Sequence, residues 1–312
     1  VPFLRFEYLQ TWWNTRGGRE WPQESALAII VAREGTKLAG IAPLFKVEAE
    51  GKTRLLLLGS IEISDYLDLI CRQEDLEDFS AGLLSFIKSR FVTAGNACQL
   101  DLYNIIEDSA TLPSLAQASQ KQNLLFAEEK LQHCPYIPLP GDWEKYLEGI
   151  DKKQRHEIRR KMRRAAEAEA PASFYITSDP DKLEEDGDDF LVLMAQDEDK
   201  AKFLTPLMRE NMKELIRCSF DKGCLQLAFL TIGEKKAAAY LSFDYLNRIW
   251  VYNSGLDRAF MSYSPGWVLL GFLLQWANEN GRQEFDFMRG DEDYKYKFGA
   301  VDRFLVRLTI QF

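Results

Sequence analysis

The chain predicts a mixed α/β protein made of two similar domains in tandem. Its 312 residues hold about two domains at roughly 150 residues each. Strand-like and helix-like segments alternate along it, and the order hairpin, strand, helix, strand, helix, strand occurs in both halves. GTKLAGIAPLF from position 35 and GEKKAAAYLSF from position 233 also align loosely through Gly, Lys, Ala and Phe.

Each element follows from its own pattern. LQTWWN (9–14) reads as a helix that partly buries Trp12 and Trp13. ALAIIVAR (26–33), the turn EGTK and LAGIAPLFKV (38–47) read as a hairpin, with TRLLLLGS (53–60) as a third strand. Leu76, Phe79, Leu83, Leu84, Ile87 and Phe91 recur at helical spacing. CQLDLYNI (98–105) is a strand, 110–121 a helix, and LLFAEEKLQ (124–132) leads into another strand. In the second half SFYIT (173–177) is a strand, followed by helices at 181–196 and 206–221. CLQLAFLTI (224–232) and AAAYLSFDYL (237–246) form a hairpin and RIWVYNSG (248–255) a third strand. A helix from Pro265 to about Asn280, the strand EFDFM (284–288), a polar loop and FLVRLTIQF (304–312) complete it. Because 248–255 and 284–288 flank a helix, those two strands are expected to be parallel. The domains are expected at 1–140 and 171–312, with a basic helical connector at 141–170.

In that connector PLPGDW (138–143) breaks the chain, and Asp142 is placed to cap a helix. Tyr146, Ile150, Ile158, Met162 and Ala165 form a narrow apolar stripe beside Lys152, Arg155, Arg159 and Arg163. KKQRHEIRRKMRR (152–164) has eight Lys or Arg and one Glu, a local +7 in a chain of net −9. An acidic body opposes non-specific binding to nucleic acid or anionic membrane, while the basic segment suits one local anion. The acidic body can supply the counter-charge, which favours reading the segment as a solvated connecting arm.

Other classes are excluded or disfavoured. No apolar run reaches the 18 or so residues that span a bilayer. VPFLRFEYLQ lacks the charged and apolar regions of a secretory signal. Five cysteines without a CxxC oppose a disulfide framework or zinc ribbon, so a cytoplasmic, reduced protein is expected. Only His133 and His156 could serve a Ser-His-Asp triad, and neither has a catalytic setting. No metal site is expected.

Chemistry is expected around 248–299. Ligands of such units gather at strand carboxyl ends and at the start of the crossover helix. That start reads SYSPGW (262–267): Ser264 can cap, Pro265 suits the first turn, and Gly266 bares backbone N–H groups toward a phosphate. The same residues also suit a purely structural helix start. RGDEDYKYKFG (289–299) gathers Asp291, Glu292, Asp293, Tyr294, Lys295 and Lys297 just after Asp286. There a lysine can stabilise an oxyanion and a carboxylate can act as base, or the loop is simply solvated. Asp65, Tyr66 and Asp68 in SDYLDL either line a groove or cap a strand end.

Together the early Trp, SDYLDL, the Arg-rich helix, the hairpin at 224–246, SPG, FDFMRG and YKYKFG resemble the GNAT acyltransferase superfamily, in particular its double-domain CelD-like and FemAB-like branch. The resemblance covers nearly the whole chain and implies tandem GNAT-like domains joined by a basic helix. It implies acyl-CoA, such as acetyl-CoA, as co-substrate beside Asn253, Ser254, Ser264, Pro265 and Gly266. YKYKFG is similar to the FemAB-type FKxGFG segment, which places that family's lysine on Lys295, with Tyr294 in place of Phe and Lys297 in place of Gly. The Q/RxxGxG/A pyrophosphate loop of ordinary GNAT enzymes is missing. The expected activity is transfer of an acyl group to an amine or hydroxyl of a sugar, peptide or envelope precursor. Lys295 would stabilise charge, Asp286 or Asp291 would be the base, Tyr294 would belong to the same centre, and Asp65, Tyr66 and Arg159 would meet the acceptor. The alternatives are a FemAB-like transferase using aminoacyl-tRNA on a peptidoglycan precursor, with RNA held by Arg155, Arg159, Arg160 and Arg163, or a degenerate tandem domain that only binds.

Overall fold

A computed structural model describes residues 1–21, 24–49, 51–59, 61–93 and 97–312. They group into two compact units: Val1, Phe3–His133 and Arg303–Phe312 in the first, Pro2 and Cys134–Asp302 in the second. Each is mixed α/β.

The first unit contains α1 (Phe6–Arg19), β1 (Ala26–Leu27), β2 (Ile30–Glu34), β3 (Lys37–Ala42), β4 (Leu44–Ala49), β5 (Lys52–Leu57), β6 (Ile70–Cys71), α2 (Leu76–Phe91), β7 (Ala97–Ile106), α3 (Thr111–Lys121) and β8 (Leu125–His133). Trp12 of α1 is buried and meets Phe45 with ring centroids 5.3 Å apart. The expected hairpin 26–47 is divided. Pro43 has no N–H to give a ladder and separates β3 from β4. β2 and β3 then pair with β6 in a small sheet, whereas β4 pairs with β5. β5 runs parallel to β7, with α2 as the crossover. Ser60, at the end of the expected third strand, lies outside the described residues.

The second unit contains β9 (Tyr136–Pro138), α4 (Trp143–Gly149), α5 (Lys152–Ala166), β10 (Ala172–Ile176), α6 (Leu183–Met194), α7 (Glu198–Phe203), α8 (Pro206–Asp221), β11 (Leu225–Ile232), β12 (Lys235–Tyr245), β13 (Arg248–Leu256), α9 (Pro265–Glu279), β14 (Glu284–Asp286) and α10 (Asp293–Lys297). Its sheet order is β10-β11-β12-β13-β14-β9. β13 and β14 are parallel, as expected from the intervening helix.

The basic connector is two helices. Asp142 caps α4 by accepting from the Lys145 N–H at 2.8 Å. Ile150 is extended, and Asp151 then accepts from the N–H groups of Lys153 and Gln154 to start α5. Tyr146, Ile158 and Ala165 are buried with Val268, Leu269 and Leu273 of α9, so α5 packs within the second unit.

The last strand, β15 (Phe304–Gln311), departs from the expected 171–312 grouping. It lies between β7 and β8, antiparallel to both, in the first unit's sheet. β9 in turn follows β8 along the chain but pairs with β14 in the second sheet.

Candidate active site

The parallel pairing of β13 with β14 ends at Trp250↔Asp286, whereas β12 follows β13 as far as Leu256. A register shift at Leu241/Ser242 marks the point where β13 leaves β14. Asp257 N–H donates to Ala237 C=O at 2.9 Å, and Ala238, Ala239 and Tyr240 oppose Leu256, Gly255 and Ser254. Hydrogen-bonded and non-hydrogen-bonded pairs alternate in an antiparallel ladder, so the backbone N–H and C=O of Ser254 point off β12 toward the side that β14 has vacated. Both are occupied from within the chain. The N–H donates to Asn253 Oδ1 at 2.9 Å, and the C=O accepts from Lys200 Nζ at 2.6 Å. Burial lowers the pKa of Lys200, outweighing Asp197 and Glu292, which raise it.

Beyond β14 the chain turns sharply. Asp286 is fully buried, and its Oδ1 accepts from the Met288 N–H at 2.7 Å, holding Met288 at φ 55°. Gly290, at φ 103°, continues the turn in a region that side chains avoid. Lys295 is only 3% exposed; its Nζ donates to the carbonyls of Arg289 (3.0 Å) and Gly290 (2.8 Å) and lies 2.8 Å from Glu292 Oε2. The lysine therefore fixes the loop that follows β14. Tyr294 hydrogen-bonds to Tyr240, the cross-strand partner of Ser254. Burial pushes the Tyr240 phenol up to about 12 and raises that of Tyr294 well above its ordinary value, so both are neutral near pH 7. Asp291 is exposed.

The start of α9 differs from the expected cap. Ser264 adopts a left-handed backbone (φ 55°) and makes no side-chain capping bond. Gly266 has room beside it, the nearest atom to an ideal Cβ being Leu256 Cδ2 at 3.6 Å, which sets the helix start against the end of β13. Ahead of the helix lies a cavity of about 470 Å³ lined by Arg160, Arg163, Arg164, Glu167, Ser262 and Tyr263. The basic helix thus shares one cavity with Ser262 and Tyr263, the two residues that precede the SPG turn. Arg160 is held by Glu157 at 2.7 Å. Among the described residues no ion pair engages Arg163 or Arg164. Lys161 lies 4.0 Å over the ring of Trp267, whose Nε1 is buried without a partner.

The remaining candidates lie elsewhere. Asp65 (7% exposed) and Tyr66 (2%) are buried in the first unit, and Arg159, in the second, pairs with Glu144. Sequence reasoning did not single out Lys200 or Tyr240. Lys200 sits in a short charged helix that pattern alone marks as surface, and Tyr240 reads as one more core position of a strand. Among the described residues no group of three or more His, Cys, Asp or Glu could hold a metal ion, and no helix is long and apolar enough to cross a membrane.

The strand pair opens at its carboxyl end beside a helix start without a side-chain cap, the position at which open α/β sheets gather ligands. Residues 152–296 match the family described as Acetyltransferase (GNAT) domain, which places the second unit in the GNAT superfamily. FemX shares the fold, aligning over 100% of this chain and 92% of its own at 10% identity, with a TM-score of 0.67. The DUF2156 C-terminal domain of a putative lysylphosphatidylglycerol synthetase from Agrobacterium fabrum aligns over 91% of this chain and 83% of its own, with 12% identity and a TM-score of 0.58. L-PGS from Bacillus licheniformis aligns over 90% and 83%, with 11% identity and a TM-score of 0.56. No curated protein matches in sequence.

Proposed function

We propose that the second unit transfers an acyl group from an acyl-CoA, such as acetyl-CoA, to an amine or hydroxyl on a sugar, peptide or envelope precursor. The observation that carries this is the arginine-lined cavity just ahead of α9, a helix whose first turn packs against Leu256 at the end of β13. The residues suit the donor. Arg163, Arg164 and the first N–H groups of α9 would hold its phosphates, and the vacated edge of β13 would receive its pantetheine amides. The thioester then lies near Ser254, with Tyr240 and Tyr294 beside it.

On this reading the acceptor atom attacks the thioester carbonyl and the carbon–sulfur bond breaks. Tyr294, neutral through burial, gives its proton to the departing sulfur, and Asp291, open to solvent, takes the acceptor's proton. Asp286 and Lys295 hold the loop that carries both. A second reading, transfer from aminoacyl-tRNA, draws on the same arginines. It predicts RNA binding that weakens steeply with salt.

Gly266→Glu separates donor binding from folding, because the site has space for a side chain while the new carboxylate occupies the phosphate position. Calorimetric titration of acetyl-CoA should show binding by the wild type, weakened at least about tenfold (~1.4 kcal/mol) in Gly266→Glu. Absence of wild-type binding at millimolar acetyl-CoA would overturn the acyl-CoA reading and favour either aminoacyl-tRNA or a domain that only binds.

A further inference from the structure

We propose that Lys200 is itself an acyl acceptor, taking the acyl group from a thioester donor aligned along the edge of β13 that β14 leaves. The inference rests on the donor reading above and adds to it a self-modification site. Its geometry is specific. Asp197 Oδ1 accepts from the N–H groups of Asp199 (3.1 Å) and Lys200 (3.0 Å), which fixes the first turn of α7. An ideal Cβ on Gly255 would lie 2.3 Å from Met194 N, so only glycine lets the end of α6 approach β13 this closely. These two constraints deliver Lys200 Nζ to the Ser254 carbonyl. Around it is a cavity of about 140 Å³ lined by Met194, Asp197, Lys200, Ser254, Gly255 and Arg258, several times the ~30 Å³ that one water occupies in the liquid.

Two lysines of this unit differ chemically: Lys295 is buried and Lys200 half-buried. Lys295 is engaged by two carbonyls and Glu292. Lys200 is given one acceptor, the Ser254 carbonyl, at 2.6 Å. Its partial burial lowers the pKa of the amine, and the neutral form can donate one N–H to that carbonyl and keep its lone pair for attack. In the step, Nζ attacks the thioester carbonyl, a carbon–nitrogen bond forms and the carbon–sulfur bond breaks. The proton released by nitrogen passes to the thiolate, leaving an Nε-acyl-lysine and free CoA thiol. The new amide N–H can still donate to Ser254, but the positive charge is gone.

The test is peptide mapping by mass spectrometry after incubation with acetyl-CoA, with Lys202 as the internal control. Lys202 stands two residues away with its side chain 76% exposed, so uncatalysed acetylation favours it. The proposal predicts that acetyl-CoA modifies Lys200 at least about tenfold faster than Lys202, through proximity to the bound thioester. The preference should reverse with acetic anhydride, which needs no donor site, and should vanish in Gly266→Glu. Equal or faster acetylation of Lys202 by acetyl-CoA overturns the proposal. If calorimetry shows acetyl-CoA binding while Lys200 stays unmodified, the self-acylation fails alone and the donor reading stands. If neither binding nor labelling occurs, both fall.

Discussion

Asp186 is 3% exposed and accepts from Tyr175 Oη (2.9 Å), Thr177 Oγ1 (2.7 Å) and Lys236 Nζ (2.6 Å). Burial alone would raise its pKa, but these three donors outweigh burial and bring it below the usual carboxylate value. A carboxylate with a depressed folded pKa adds stability above its unfolded pKa, about 3.9, and loses it as pH falls through the folded value. Asp186→Asn should therefore cost about 2 kcal/mol at pH 7, through one weakened partner of a buried ion pair. In urea unfolding the gap from wild type should close as pH falls below about 4; a gap independent of pH would contradict the assignment. This network was not legible in the sequence, since Asp186 and Lys236 lie far apart in helix and strand. At the site, Lys295, Tyr294 and Asp286 were legible because they cluster within one loop after a strand. Lys200 and Tyr240 were not, because register and a helix approach over Gly255 bring them to Ser254.

Secondary elements were more legible than their partners. The helices α2, α8 and α9 and the parallel β13–β14 pair follow from apolar spacing and from a crossover helix. The division of the first hairpin at Pro43 was written in the sequence as a proline within a strand pattern. The place of β15 was not, because its apolar run fits either sheet. In the first unit Asp101 on β7 is fully buried and binds both Arg54 on β5 and Arg307 on β15, the latter at 2.8 and 3.0 Å. That pairing fixes the last strand by charge as well as by ladder bonds. Removing 303–312 leaves facing edges of β7 and β8 without their partner and strips Asp101 of one arginine. Differential scanning calorimetry of this truncation should lose the cooperative transition of the first unit. An unchanged transition would show that the first sheet closes without β15.

Across the whole molecule one topology appears twice: antiparallel β4–β5 followed by parallel β7, and antiparallel β12–β13 followed by parallel β14, each with a helix crossover. The two crossover helices begin in opposite electrostatic settings. Glu74, Asp75, Glu77 and Asp78 surround the start of α2, where they repel a phosphate. The cavity just ahead of α9 is instead lined by Arg160, Arg163 and Arg164, with Glu167 as its one carboxylate. On the proposed reading, donor binding is therefore confined to the second unit, although both units share the strand order. Hydrogen–deuterium exchange with and without acetyl-CoA tests this most directly. Exchange should slow at 253–257 and 264–268, with 73–79 unchanged. Protection at the start of α2, or at neither helix, would contradict it.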